Sequence, residues 1–184
     1  MDTHGVVSPY EGTDARHWDP AVPVPAPLTL HRTPVRPEWV DYNGHMSESC
    51  YLLIIGDNSD AFFRYFGIDE HYRAAGHSLY TVETHLHYRG EAVEGDPLTL
   101  TVQLIDFDTK RLHLFHTMRH GTTGRVLLTA EQLLVHVDMN GDMDKPRAVP
   151  LPAHLTERLR TIRAAHAALP VPEDLGHVIG IPRR

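Results

Sequence analysis

A chain of 184 residues with 41% hydrophobic content carries enough apolar side chain for one domain with its own core. Its formal net charge of -7, with 15 neutral histidines, excludes the basic footprint that nucleic-acid binding needs. The single cysteine, Cys50, excludes an internal disulfide framework and points to a reducing compartment.

Residues 1–26 are polar and then proline-rich, ending in DPAVPVPAP, a composition that predicts an N-terminal arm outside the core. This start lacks the basic and apolar stretches of a signal peptide, and no apolar run is long enough to span a bilayer. The expectation is a cytoplasmic protein that binds neither membrane nor nucleic acid. LTLHRTPV (28–35) reads as a first strand closed by Pro34 and Pro37. From about Ser49 to Phe66 the spacing predicts a helix. Tyr51, Ile55, Phe62, Tyr65 and Phe66 recur at helical steps, while Leu52, Leu53 and Ile54 make its first half apolar nearly all round. Gly67 and Gly76 bracket a short second helix, DEHYRAA.

The period then changes to two. SLYTVETHLHY (78–88), LTLTVQLIDF (98–107), RLHLFHTMRH (111–120) and VLLTAEQLLVHVD (126–138) read as strands joined by hairpin turns. A parity shift around Glu131 to Leu133 predicts a bulge in the last of them. LTERLRTIRAAHAAL (155–169) is an amphipathic helix that completes a domain over 27–169, and 170–184 is a tail. One long apolar helix among about five strands predicts an α+β fold in which a curved antiparallel sheet wraps around that helix. The sheet edges need covering, so a homodimer or homotetramer is expected.

WVDYNGHMSES (39–49) stands between the first strand and the buried helix. VRPEWVDYNGHM resembles the loop of hotdog-fold acyl-CoA thioesterases similar to 4-hydroxybenzoyl-CoA thioesterase, and the likeness covers roughly residues 28 to 138. The longer run DNSDAFFRYFGIDEHYRAAGHSLYTVETHLHY resembles the thioesterases of carnitine breakdown. The resemblance implies the hotdog fold, an acyl-CoA substrate, betainyl-CoA in particular, and a catalytic carboxylate at Asp41. On the residues alone Asp41 reads first as a turn or capping aspartate, because Asp-x-Asn-Gly is good turn chemistry.

A carboxylate just upstream of a helix start suits thioester hydrolysis. It can attack the carbonyl or activate water, while free N–H groups of the first turn hold the developing oxyanion. Asp41 is assigned the first role, Gly44 the close backbone approach, and Glu48 and Ser49 the oxyanion donors. Glu48 would oppose that oxyanion unless it meets a cation, which the trimethylammonium of a betainyl group supplies; alternatively it is a first-turn carboxylate favoured by the helix dipole. Quaternary ammonium groups also favour aromatic walls, for which Trp39, Tyr42 and Tyr51 are candidates. Asn43 and His45 join the substrate-contacting set, His45 reading also as a packed residue under the helix start. Asp57, with Asp60 on the same helix side, is assigned to a pocket or a subunit interface, the other reading being that the helix emerges into solvent there. Phe62, Phe63, Tyr65 and Phe66 read as core.

Histidine is abundant, yet there is no HExxH or cysteine pair, and His85 with His87 is a weak signal, so no metal is expected. No cofactor fingerprint is present. Arg89, Lys110 and Arg111 are the candidate grips for coenzyme A. Other readings are a general short-chain or aromatic acyl-CoA thioesterase, and a non-catalytic acyl-CoA-binding protein in which Asp41 only makes a turn.

Overall fold

The computed structural model describes residues 16–140 and 145–181. Most of the expected N-terminal arm, 1–15, and the last three residues of the tail lie outside the described residues. The chain runs β1 (Leu28–Pro34), a 3-10 turn (Pro37–Trp39), α1 (Glu48–Phe66), α2 (Glu70–Ala74), β2 (His77–Tyr88), β3 (Pro97–Phe107), β4 (Arg111–His120), β5 (Val126–Asp138), β6 (Arg147–Ala148) and α3 (Ala153–His166). All neighbouring strands pair antiparallel, in the order β1-β3-β4-β5-β2, with two-residue β6 added to β5 beyond the start of β4. No helix of the described residues is long and apolar enough to cross a membrane.

Alternation decides which face of the sheet meets α1. Leu98, Leu100, Val102 and Leu104 of β3 and Leu112, Leu114, His116 and Met118 of β4 are fully or almost fully buried on that face. The helix lies across these rows and stops at Gly67, whose φ of 116° lets its N–H reach back to the Phe63 and Arg64 carbonyls. Two apolar clusters result. One joins Phe62 and Phe66 of α1 to Leu112, Leu114 and the Leu155, Leu159 and Ile162 face of α3. The other joins Ile54 and Ile55 to Leu98, Leu100, Met118, Leu128 and Ala130. Truncating one of these buried phenylalanines to Ala costs about 3–5 kcal/mol.

A polar layer separates the clusters at the middle of α1. Asn58 Nδ2 donates to His116 Nδ1 at 2.9 Å, and Ser59 Oγ donates to Gln132 Oε1 at 2.7 Å. Gln132 Nε2 in turn faces Thr84 Oγ1 at 3.4 Å. Burial lowers the His116 pKa to about 4, so the ring is neutral, and with Nδ1 accepting, its proton sits on Nε2.

Several expectations are corrected. The bulge expected at Glu131 to Leu133 is elsewhere: Val82 is the extra residue where β2 pairs with β5, and Leu127 is the extra residue where β5 pairs with β4. The Val82 bulge switches β2 from Leu79 facing inward to Thr84, Leu86 and Tyr88 doing so, with Tyr80 turned out to solvent. α1 is not buried all round, since Leu52 and Leu53 are 45% and 41% exposed. The end of the arm packs on the domain: Trp18 meets Tyr65 edge-on at 5.9 Å, and His166 Nε2 donates to the Pro25 carbonyl at 3.1 Å. The tail also docks, crossing the outer sheet face as a strap. Asp174 accepts from Thr129 Oγ1 at 2.7 Å and pairs with His87 and Arg89, while the Gly176 N–H donates to Glu131 Oε2 at 2.7 Å. This cover buries outward-facing Phe115 and Thr129, which together with the Leu127 bulge gives β5 its unbroken buried run over 127–130.

Candidate active site

The loop 39–47 is built by short backbone ties. Val40 bridges Met46 antiparallel, and the Asp41 N–H donates to the His45 carbonyl at 2.9 Å. The turn between them closes through the Gly44 N–H to the Asp41 carbonyl at 3.0 Å, with Gly44 at φ 77°, where a side chain is disfavoured. Asp41 Oδ1 accepts the Asn43 N–H at 2.8 Å, an Asx turn that fixes the carboxylate and leaves Oδ2 for a reacting group. The Met46 N–H donates to the Ala92 carbonyl at 2.8 Å, so the loop is pinned to the segment that follows β2. Ser47 then starts α1 in extended conformation without a side-chain cap. Its first-turn N–H groups, those of Glu48 and Ser49, precede any intrahelical acceptor and point out of the helix end.

These pieces open on a cleft of about 840 Å3 lined by Asp41, Asn43, His45, Met46, Glu48, Tyr51, Tyr88, Gly90, Glu91 and Arg125. The structure thus brings Asp41, Asn43, His45, Glu48 and Tyr51 of the expected set together, with Gly44 and Ser49 in the loop and helix turn between them. His45 Nε2 is 3.4 Å from Glu91 Oε2, so it faces the cleft rim rather than packing under the helix. Tyr51 donates its hydroxyl to the Gly90 carbonyl at 3.2 Å, and burial raises its pKa.

The remaining candidates lie elsewhere. Trp39 is 7% exposed, packed in the second apolar cluster with the Arg36 guanidinium 4.9 Å over its ring, so it is core and not a wall of the cleft. Tyr42 is 96% exposed at the tip of the turn, outside the cleft lining. Asp57, nine residues and half a helical rotation beyond Glu48, faces away from the cleft with Oδ2 4.0 Å from His31 Nε2. Its burial, and then Asp60, push its pKa up to about 6. Lys110 and Arg111 are at the opposite end of β4, bonded to the Ala148 carbonyl and to Asp108. Arg89 sits on the outer face with Asp174.

Sequence reading missed Tyr88, Gly90, Glu91 and Arg125. Arg125 Nη2 donates to the Glu91 carbonyl at 2.8 Å, and its guanidinium lies so close over Gly90 that a Cβ there would meet Nη1 at 2.9 Å. The available signal was Tyr88 on the inward side of β2, followed two residues later by a glycine that lets another side chain cross the backbone.

The Thioesterase-like superfamily model matches residues 35–159. The chain belongs to that superfamily. It is a thioester hydrolase with the hotdog architecture. It is 43% identical over 156 residues to a betainyl-CoA thioesterase of Pseudomonas aeruginosa, covering 84% of this chain and 96% of that one. It is 44% identical over 157 residues to an L-carnitine dehydrogenase/betainyl-CoA thioesterase of Rhizobium meliloti, covering 85% of this chain but only 31% of that longer protein. A Staphylococcus aureus protein solved in complex with CoA is 28% identical, with a TM-score of 0.76 and 85% of this chain and 98% of that chain covered.

Proposed function

We propose that this thioesterase hydrolyses betainyl-CoA to betaine and CoA in the cytoplasm, and that the cleft around Asp41 is where it does so. The observation that carries the reading is the placement of Asp41 and the first turn of α1 on one cleft, in a chain 43% identical to a betainyl-CoA thioesterase. The thioester carbonyl oxygen sits against the Glu48 and Ser49 N–H groups, where helix-end donors stabilise the oxyanion. Asp41 Oδ2 either takes a proton from the attacking water or adds to the carbonyl to give a mixed anhydride that water then opens. In both courses the carbon–sulfur bond breaks and CoA leaves as a thiol. Arg125 is the cation on the cleft rim available to the phosphates of CoA.

The working form in this reading is a homodimer. β2 is an edge strand, with Tyr80 and Val82 exposed at 41% and 57%. A second copy pairing there continues the sheet and covers apolar surface.

The test is thiol release from betainyl-, acetyl-, butyryl- and benzoyl-CoA by wild type and Asp41→Asn. Betainyl-CoA is expected to be the best substrate, and the substitution to lower kcat by roughly 10²–10⁴ while CoA binding persists. Single turnover in labelled water separates the two courses, because only the anhydride places solvent oxygen in Asp41. Equal rates across the panel point to a general acyl-CoA thioesterase, and no turnover of any thioester points to a binding protein.

A further inference from the structure

The cleft is at once acidic and aromatic. Three carboxylates line it, Asp41, Glu48 and Glu91, against one arginine, Arg125, which is turned toward the Glu91 carbonyl. Tyr51 and Tyr88 meet edge to face with ring centroids 5.4 Å apart at 84°. Each ring is tethered by its hydroxyl, Tyr51 to the Gly90 carbonyl and Tyr88 to the Glu48 carbonyl at 3.1 Å. Tyr51 is 3% exposed and forms the back of the pair, whereas Tyr88 is 47% exposed and stands open. Its anchor belongs to the first residue of α1, so the open ring lines the same cleft as the helix turn whose N–H groups are assigned to the oxyanion. In a betainyl group the quaternary nitrogen is separated from that carbonyl by a single methylene. The cation therefore stays within the cleft that the ring lines.

A trimethylammonium has no N–H to donate, so hydrogen bonds cannot select it. What distinguishes it from a neutral group of the same shape is diffuse positive charge, which ring faces and nearby carboxylates attract. We propose that Tyr88, backed by Tyr51 and flanked by Glu48 and Glu91, is the residue that selects a quaternary ammonium on the acyl group. This role rests on the betainyl-CoA reading above and deepens it.

The decisive comparison is betainyl-CoA against tert-butylacetyl-CoA, its neutral carbon isostere, for wild type, Tyr88→Phe and Tyr88→Leu. Wild type is expected to favour the cation by about tenfold or more in kcat/KM. Tyr88→Leu is expected to lose that preference through KM, with kcat/KM for betainyl-CoA falling about tenfold further than kcat/KM for the isostere; Tyr88→Phe, which keeps the ring and loses only the Glu48 tether, is expected to retain it. Calorimetry with the trimethylammonioethyl thioether of CoA and its all-carbon isostere reads the same preference without turnover. Preferential binding of the cationic thioether, lost in Tyr88→Leu, sustains the role of Tyr88 even where betainyl-CoA is not turned over; that result overturns the catalytic reading alone. Equal loss on both compounds in Tyr88→Leu marks a structural ring, and an unchanged preference in that variant places selection elsewhere; either result overturns the proposal.

Discussion

Gly44 carries a demand that no other residue type meets easily. Its φ of 77° lies in the left-handed region, yet a Cβ there would meet nothing within 4 Å. Gly44→Ala therefore strains the backbone without a clash, at about 1–2 kcal/mol. Gly95 has nearly the same φ, 81°, and equally open space, but sits outside the cleft. The two Ala variants are expected to lose similar stability in urea titrations, while only Gly44→Ala loses kcat, because its turn aims Asp41. Asp57 shows a different single-residue effect. Burial and then Asp60 raise its pKa from 3.8 to about 6, so the folded state holds its proton more tightly than the unfolded chain does. Its cost to stability therefore grows as pH rises from about 4 to 6 and is full above that. Buried His31 and His116, both lowered to about 4, act with the opposite sign, losing stability as pH falls from 6.5. Asp57→Asn isolates the carboxylate. Its melting temperature is expected to exceed that of wild type near pH 8 and to match it near pH 4, and a constant difference across that range would sink the assignment.

At the scale of elements, legibility followed periodicity. β4 and β5 match their expected bounds, because Leu112, Leu114 and Met118 of β4 and Gln132, Leu134 and His136 of β5 recur at every second residue or multiples of it on buried positions. What alternation cannot reveal is the residue that breaks it. Val82 flips the parity of β2, and only its pairing with β5 shows that the extra residue opposite Leu133 and Leu134 lies in β2. The loop and helix half of the cleft was readable, since Asp41, Gly44 and Glu48 lie within eight consecutive residues. The other half was not. Tyr88, Gly90 and Glu91 arrive through Tyr51 and Met46 contacts that span some forty residues, and Arg125 comes from still further along the chain. Trp39 misled for the same reason in reverse: proximity to the motif in sequence says nothing about whether a ring turns to the cleft or, as here, into the core beneath it. Asn58 in α1 was visible as polarity in an apolar helix, but its partner His116 is set by where β4 crosses that helix.

For the whole molecule the proposed homodimer turns on β2. An edge strand with exposed Tyr80 and Val82 is a pairing template, and Val82→Lys places a charge on that edge. The expected result in native mass measurement is a shift from dimer to monomer without loss of secondary structure; a protein whose mass is unchanged by Val82→Lys does not pair through this edge. The strap of the C-terminal tail bears on the same strand from behind. Alternation places His87 and Arg89 on the outer face and Tyr88 between them on the inner one, and Asp174 grips both outer neighbours. The open ring of the cleft thus stands on a length of backbone braced at the positions either side of it. A ring held in place before substrate arrives need not be immobilised by binding, and that part of the entropic cost of recognition is met in advance by the fold.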